Sequence, residues 1–148
     1  MKRHDALVQL SRDHHFWLLL CWKLKEDLKK EIAVERMEKY IRLFYSTNLK
    51  DHFAEEEESI FKILGNDHPL ISEAISQHQI FRKMVENGFK NPEEIETFRA
   101  LLELHIRTEE RLIFPEIEKK ATDEQLEAIL NLNHLELKEP EYDDLFWK

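Results

Sequence analysis

Two glycines and four prolines in 148 residues leave this chain almost without the residues that interrupt a helix. Its apolar residues recur every three or four positions, which is the spacing of one helix face rather than the alternation of a strand. The chain is therefore expected to be all-α. Period and breakers together mark four long stretches. The first, which Asp5 is placed to cap, carries Leu7, Leu10, Trp17, Leu18, Cys21, Leu24 and Leu28 along one side. The second runs from about Val34 to Leu64, with Met37, Ile41, Tyr45, Ile60 and Ile63 on its inner face, and ends at "GNDHP" (65–69). Pro69 suits the first position of the third, which carries Ile71, Ile75, Phe81 and Val85 as far as "NGFKNP" (87–92). The fourth starts near Pro92 and carries Phe98, Leu102, Leu112 and Ile113. Pro115 must kink it or begin a new turn. Thr122 is placed to cap a short fifth helix, "DEQLEAIL", ahead of an acidic and aromatic tail, "EPEYDDLFWK".

Four amphipathic stretches joined by short breaks predict an up-down-up-down four-helix bundle over about residues 4–120, with an extension over about 121–148. Nothing marks a second domain, so residues 1–148 are expected to form one. A net charge of -9 opposes binding to nucleic acid or to an anionic membrane surface. The longest dense apolar run, "FWLLLCW" (16–22), is too short to span a bilayer, and "SRDHH" before it is not the basic start of a signal peptide. The single cysteine, Cys21, cannot form an internal disulfide, and a reducing cytoplasm is the expected location.

One phrase occurs twice. "HFAEEEESIF" begins at His52 and "HIRTEERLIF" at His105, and both read H-x-x-x-E-E-x-x-I-F. The inward series of the second stretch is Ile41, Tyr45, Asn48, His52, Glu56, Ser59, Ile63. That of the fourth is Phe98, Leu102, His105, Glu109, Leu112. His14 falls between Leu10 and Trp17 in the first stretch, and His78 between Ile75 and Phe81 in the third. Each stretch thus sends one histidine inward, and two add a glutamate one turn later. In an antiparallel arrangement, a rise of about 1.5 Å per residue puts all six in one layer roughly 10–15 Å below the same end.

Six polar groups in an apolar interior are costly without a partner, because a buried unpaired carboxylate costs several kcal/mol and two of them repel. A bound cation removes both penalties. Imidazole with carboxylate suits iron, manganese or zinc, and several open positions favour non-haem iron. The candidate metal ligands are therefore His14, His52, Glu56, His78, His105 and Glu109. His15 points about 100° away from His14 and is the weaker candidate. Glu55, Glu57, Glu58, Arg107 and Arg111 are expected on the solvated surface, as are His4, His68 and His134 near helix ends or loops.

"SRDHH", "HFAEEEESIF", "SQHQIF" and "HIRTEERLIFPEIE" together resemble the hemerythrin-like, HHE cation-binding family, over about residues 4–120. The resemblance implies a left-twisted four-helix bundle holding two irons bridged by carboxylates and an oxygen atom. It implies His14 and His52 on one iron, His78 and His105 on the other, and Glu56 and Glu109 bridging. The ferritin-like alternative uses Glu-x-x-His pairs, and this chain contains none. The sequence departs from the oxygen-carrying hemerythrins, whose extra histidine one turn before the third-helix ligand is here Ala74. Their last carboxylate lies five residues after its histidine. Glu109 lies four after His105, so Glu110 stays open as a substitute. Water or hydroxide would then complete each ion. The expected function is a di-iron protein that binds or senses oxygen, nitric oxide or peroxide, with that small molecule as its partner. Zinc or manganese can replace iron in recombinant protein. The alternatives are a di-iron enzyme (a peroxidase, a nitric oxide reductase or an iron-donating repair protein) and a metal-free helical interaction module.

Overall fold

A computed structural model describes residues 3–131. Among these residues all regular structure is helical. The first stretch is α1 (Asp5–Lys29). The second, residues 34–63, is α2 (Val34–Phe44), a π turn (Tyr45–Leu49), α3 (Lys50–Glu55), a second π turn (Glu56–Ile60) and one 3-10 turn (Phe61–Ile63). The third is α4 (Pro69–Asn87). The fourth is α5 (Pro92–Thr108), a π turn (Glu109–Ile113) and α6 (Phe114–Lys120). A fifth, α7 (Asp123–Leu130), closes the described residues. The tail from residue 132 lies outside them. No helix among the described residues is long and apolar enough to cross a membrane.

Local chemistry sets the ends. Pro69 and Pro92 begin α4 and α5, and Asn91 accepts from the Glu94 amide at 2.9 Å. Thr122 and Gln125 form a reciprocal capping box on α7. Asp5 is not the cap of α1. His4 holds that position, its Nδ1 accepting from the Ala6 amide at 3.0 Å. His68 does the same for α4, accepting from Leu70 at 3.2 Å. These two histidines are helix caps rather than idle surface residues, and His134 lies outside the described residues.

The π turns correct the inward register. A π turn spends an extra residue on one turn, so the buried face moves on by one position. After Glu56 the buried side chains are Ile60, as expected, and Phe61, while the expected Ser59 and Ile63 are only partly covered. After Glu109 they are Ile113, as expected, and Phe114, while Leu112 stands 53% exposed. Leu18, expected on the inner side of α1, is 43% exposed.

α1 and α5 pack most extensively, with α2 and α4 against α5, and α7 against α1. The interior divides into two apolar clusters. One gathers Trp17, Leu24, Tyr40, Phe44, Phe81 and Phe98, and the other Leu7, Leu10, Phe61, Ile71, Phe114 and Leu126. Cys21 is buried in the first, and burial pushes its thiol up to about 12, so it is protonated and inert at neutral pH.

Between α4 and α5, Gly88 has φ 77 and ψ 179, a conformation essentially confined to glycine. A β-carbon there would also lie 2.2 Å from Oε1 of Glu38, the atom that accepts from the Phe89 amide at 2.8 Å. Gly88→Ala is expected to destabilise the protein by about 1–3 kcal/mol, read as a lower urea midpoint. An unchanged midpoint would show that this turn is not strained by a side chain.

Candidate metal centre

His14 comes from α1, His52 from α3, Glu56 from the π turn that follows it, His78 from α4, His105 from α5 and Glu109 from the next π turn. All six are at most 3% exposed. They lie where the two apolar clusters meet. His78 stacks on Phe53 of one (ring centroids 3.9 Å) and on Phe61 of the other (5.7 Å). His14 sits 4.8 Å from Trp17 and stacks on Phe114 at 5.6 Å.

Each imidazole is fixed by its outer nitrogen. Nδ1 of His14 donates to Glu110 (2.8 Å), that of His52 to Asp13 (2.9 Å), that of His78 to Glu57 (3.1 Å) and that of His105 to the Gln77 side-chain oxygen (2.6 Å). An oxygen acceptor on Nδ1 selects the Nδ1–H tautomer and leaves the Nε2 lone pair facing inward, the state a metal-ligating histidine needs. The four bonds also link consecutive stretches in a closed ring: first to second, second to third, third to fourth, and fourth back to first.

The Nε2 atoms converge on the two carboxylates. Glu56 presents Oε2 to His52 at 3.5 Å and Oε1 to His78 at 3.3 Å. Glu109 presents Oε1 to His105 at 2.7 Å and to His14 at 3.5 Å. The His78 and His105 Nε2 atoms are 3.3 Å apart. Ligand atoms about 2.1 Å from one ion stand roughly 3.0–3.4 Å from each other, and the separations here, 2.7–3.5 Å, bracket that range. Two groups can each gather on one ion: Glu56, His78, His105 and Glu109, and His14, His52 and Glu109. Both carboxylates of Glu56 and Glu109, with Nε2 of His14 and of His52, lie buried without an aligned hydrogen-bond partner. Six inward lone-pair oxygens and nitrogens, unanswered by donors, are what a cation would satisfy, and the residues fit one.

Without an ion, protons carry part of that role. Burial pulls His52 down, but the Glu56 charge and the Asp13 hydrogen bond outweigh it and raise the imidazole to about 9. Burial alone would raise Glu56, yet His52 and His78 hold it well below the usual carboxylate range. His78 is raised because Glu56 and Glu57 overcome its burial. Burial, aided by His78, drives His105 well below the ordinary histidine value, and burial also lowers His14 despite its bond to Glu110.

His15 is exposed and belongs to neither group. Glu110 stands on the far side of the His14 ring, paired at 3.0 Å with Arg3, rather than among the inward donors. Glu57, expected as solvated surface, anchors His78 instead. Asp13 and Gln77 escaped the sequence reading altogether. The available signal was adjacency: Asp13 precedes His14, Gln77 precedes His78, Glu57 follows Glu56, and Glu110 follows Glu109. Ala74, one turn before His78, is buried in the apolar cluster beside Phe61 and Ile71.

A helical protein with a buried, carboxylate-linked histidine layer of this kind is suited to holding a metal ion. The family model for the hemerythrin HHE cation-binding domain matches residues 4–117, and the chain belongs to that family. No curated protein and no solved structure matches the chain.

The proton positions set a pH profile for protein stripped of metal with a chelator. His52, raised from 6.5 to about 9, keeps a proton when folded that the unfolded chain has lost. Its contribution is full below pH 6.5 and disappears as pH rises through about 9. His14 and His105 are lowered, so their contribution is present above 6.5 and lost as pH falls. Stability should therefore peak near pH 6.5 and decline on both sides in urea titrations. An alkaline limb that rises from pH 6.5 to 9 would contradict the His52 environment.

Proposed function

We propose that the chain is a non-haem di-iron protein that binds or senses a small oxidant or diatomic ligand: oxygen, nitric oxide or a peroxide. In this reading His14 and His52 serve one ion, His78 and His105 the other, and Glu56 and Glu109 are shared between them. The helices form an up-down-up-down four-helix bundle and a single cytoplasmic domain around that pair. The observation that carries the reading is the convergence of four Nε2 atoms, each with its Nδ1 anchored, on two buried carboxylates that lack donors. Charge supports two divalent ions. Asp13, Glu56, Glu57, Glu109 and Glu110 surround the layer, and the cation paired to Glu110, Arg3, is shared with Glu118 at 2.7 Å, so most of this negative charge is left for bound cations to balance.

Iron, when bound, supplies a reversible one-electron change and open positions for a small ligand. The chain's own residues do the rest. The anchored imidazoles keep their donor atoms aimed, and the flanking Phe53, Phe61 and Phe114 rings wall the His78 and His14 imidazoles with apolar surface. Beside His78 a cavity of about 220 Å³ opens toward solvent, lined by Tyr45, Lys50, Phe53, Glu57 and Arg82. It has room for a diatomic molecule or a peroxide.

Protein purified without chelators should carry about two metal ions per chain, with iron in the native host and zinc or manganese as substitutes. Anaerobic ferrous protein should change its optical spectrum on addition of nitric oxide or peroxide. Metal content consistently near zero would favour the helical interaction module.

His52→Ala or His105→Ala should cut metal content sharply while far-ultraviolet circular dichroism stays helical. Glu56→Gln should remove the pair or leave one ion, since the residue lies 3.3 and 3.5 Å from histidines assigned to different ions. Full occupancy in both histidine variants would sink the ligand assignment, and an intact coupled pair in Glu56→Gln would sink the shared role.

A further inference from the structure

The ring of anchors is chemically uneven. The two halves of the chain correspond residue for residue around the layer. Asp13 precedes His14 and holds His52, and Gln77 precedes His78 and holds His105. Glu57 follows Glu56 and holds His78, and Glu110 follows Glu109 and holds His14. One position breaks the correspondence: a carboxylate at 13 faces a carboxamide at 77.

Both side chains are buried, at 1% and 6% exposure, so the difference acts where charge is weakly screened. The second oxygen of Asp13 accepts from the neutral amide of Gln9 at 3.2 Å. The other two anchors are damped, since Glu110 pairs with Arg3 at 3.0 Å and the Glu57 side chain is 38% exposed. Glu56 and Glu109 each approach histidines of both positions and largely drop out of the comparison. What remains is Asp13 against Gln77. A carboxylate on Nδ1–H strengthens the imidazole as a donor and adds a full negative charge nearby, whereas a carboxamide offers only a dipole.

We propose that Asp13 and Gln77 are positioning residues that make the two ion positions unequal, the His14–His52 position favouring the more highly charged ion and the His78–His105 position the less charged one. The inference rests on the di-iron reading. Oxidation of one ferrous ion removes one electron and adds one positive charge at that position. Asp13 stabilises that added charge through His52, and Gln77 does not do so to the same extent through His105. The first electron therefore leaves from the His14–His52 side.

The test uses the full chain loaded anaerobically with ferrous iron, its content verified by metal analysis. It is then oxidised stepwise through soluble mediators that pass the electrons to an electrode, with Mössbauer and electron paramagnetic resonance spectra recorded at each step. Wild type should show two resolved one-electron steps. Asp13→Asn should raise the potential of the first step, and Gln77→Glu should lower that of the second. Each variant therefore narrows the gap, from opposite sides. The double exchange, Asp13→Asn with Gln77→Glu, should restore a gap. A general structural disturbance would move both single variants in the same direction.

The proposal is overturned if wild type shows one unresolved two-electron step, if either single variant widens the gap, or if both steps ignore positions 13 and 77. If Asp13→Asn fails to hold iron, the near-isosteric Gln77→Glu decides alone. Iron content separates the two failures. A wild-type chain that takes up no iron pair removes the di-iron reading and this inference with it, whereas a loaded pair indifferent to these residues removes only the inference.

Discussion

Two carboxylates, Glu56 and Glu109, lie fully buried and face four imidazoles with no hydrogen-bond donor aligned to either. The arrangement of the interior follows from that constraint. Each ionised carboxylate in such a place costs several kcal/mol unless a cation or proton answers it. The structure offers both answers at one locus: a raised His52 when protons are the available cations, and convergent lone pairs when a metal ion is. The two compete for the same atoms, so ion binding must release the His52 proton and must weaken as pH falls.

The helices meet this constraint through irregular turns. A straight α-helix that aims His52 and Glu56 inward would next aim Ser59 or Ile60 and then Ile63, and would turn Phe61 outward. The π turn at Glu56–Ile60 advances the face by one residue and brings Phe61 inside beside Ile60. The π turn at Glu109–Ile113 does the same for Phe114 beside Ile113. Phe61 and Phe114 are the rings that stack on His78 and His14, so the turn that holds each carboxylate also delivers an apolar wall to an imidazole. Layer and wall come from one local device used twice, and the repeated phrase in the sequence is its record.

That explains which features could be read in advance. The all-helical class, the helix breaks and the six inward residues followed from helical period and from polar residues on apolar stripes, because those signals are local. The register beyond Glu56 and Glu109 did not follow, since a π turn leaves no strong compositional mark and period reasoning assumes 3.6 residues per turn throughout. The anchors were illegible for another reason. Asp13, Glu57 and Glu110 are acidic residues in an acidic chain, and each bonds a histidine on a different stretch. Their role depends on how helices face one another, which spacing along one helix cannot reveal. The capping role of His4 and His68 was hidden because histidine is a less usual cap than serine, threonine, aspartate or asparagine.

The closed ring of Nδ1 bonds adds a consequence that the inward ligands alone would not have. Each of the four bonds joins a different pair of stretches, so rotating any one helix strains two of them at once. Three involve carboxylates, and the fully buried one, Asp13 to His52, is the charge-assisted kind worth about 1.5–3 kcal/mol, while the partly exposed Glu57 and Glu110 contribute less. The ring and the two apolar clusters on either side hold the donor atoms in place before an ion arrives, so the cost of organising the layer belongs to folding rather than to ion binding. A layer fixed in this way has little freedom to reshape itself around different ions. Its selectivity must come from the number, charge and spacing of the donors, and the one place where corresponding anchors differ in charge is Asp13 against Gln77, a carboxylate on the shorter side chain and a carboxamide on the longer.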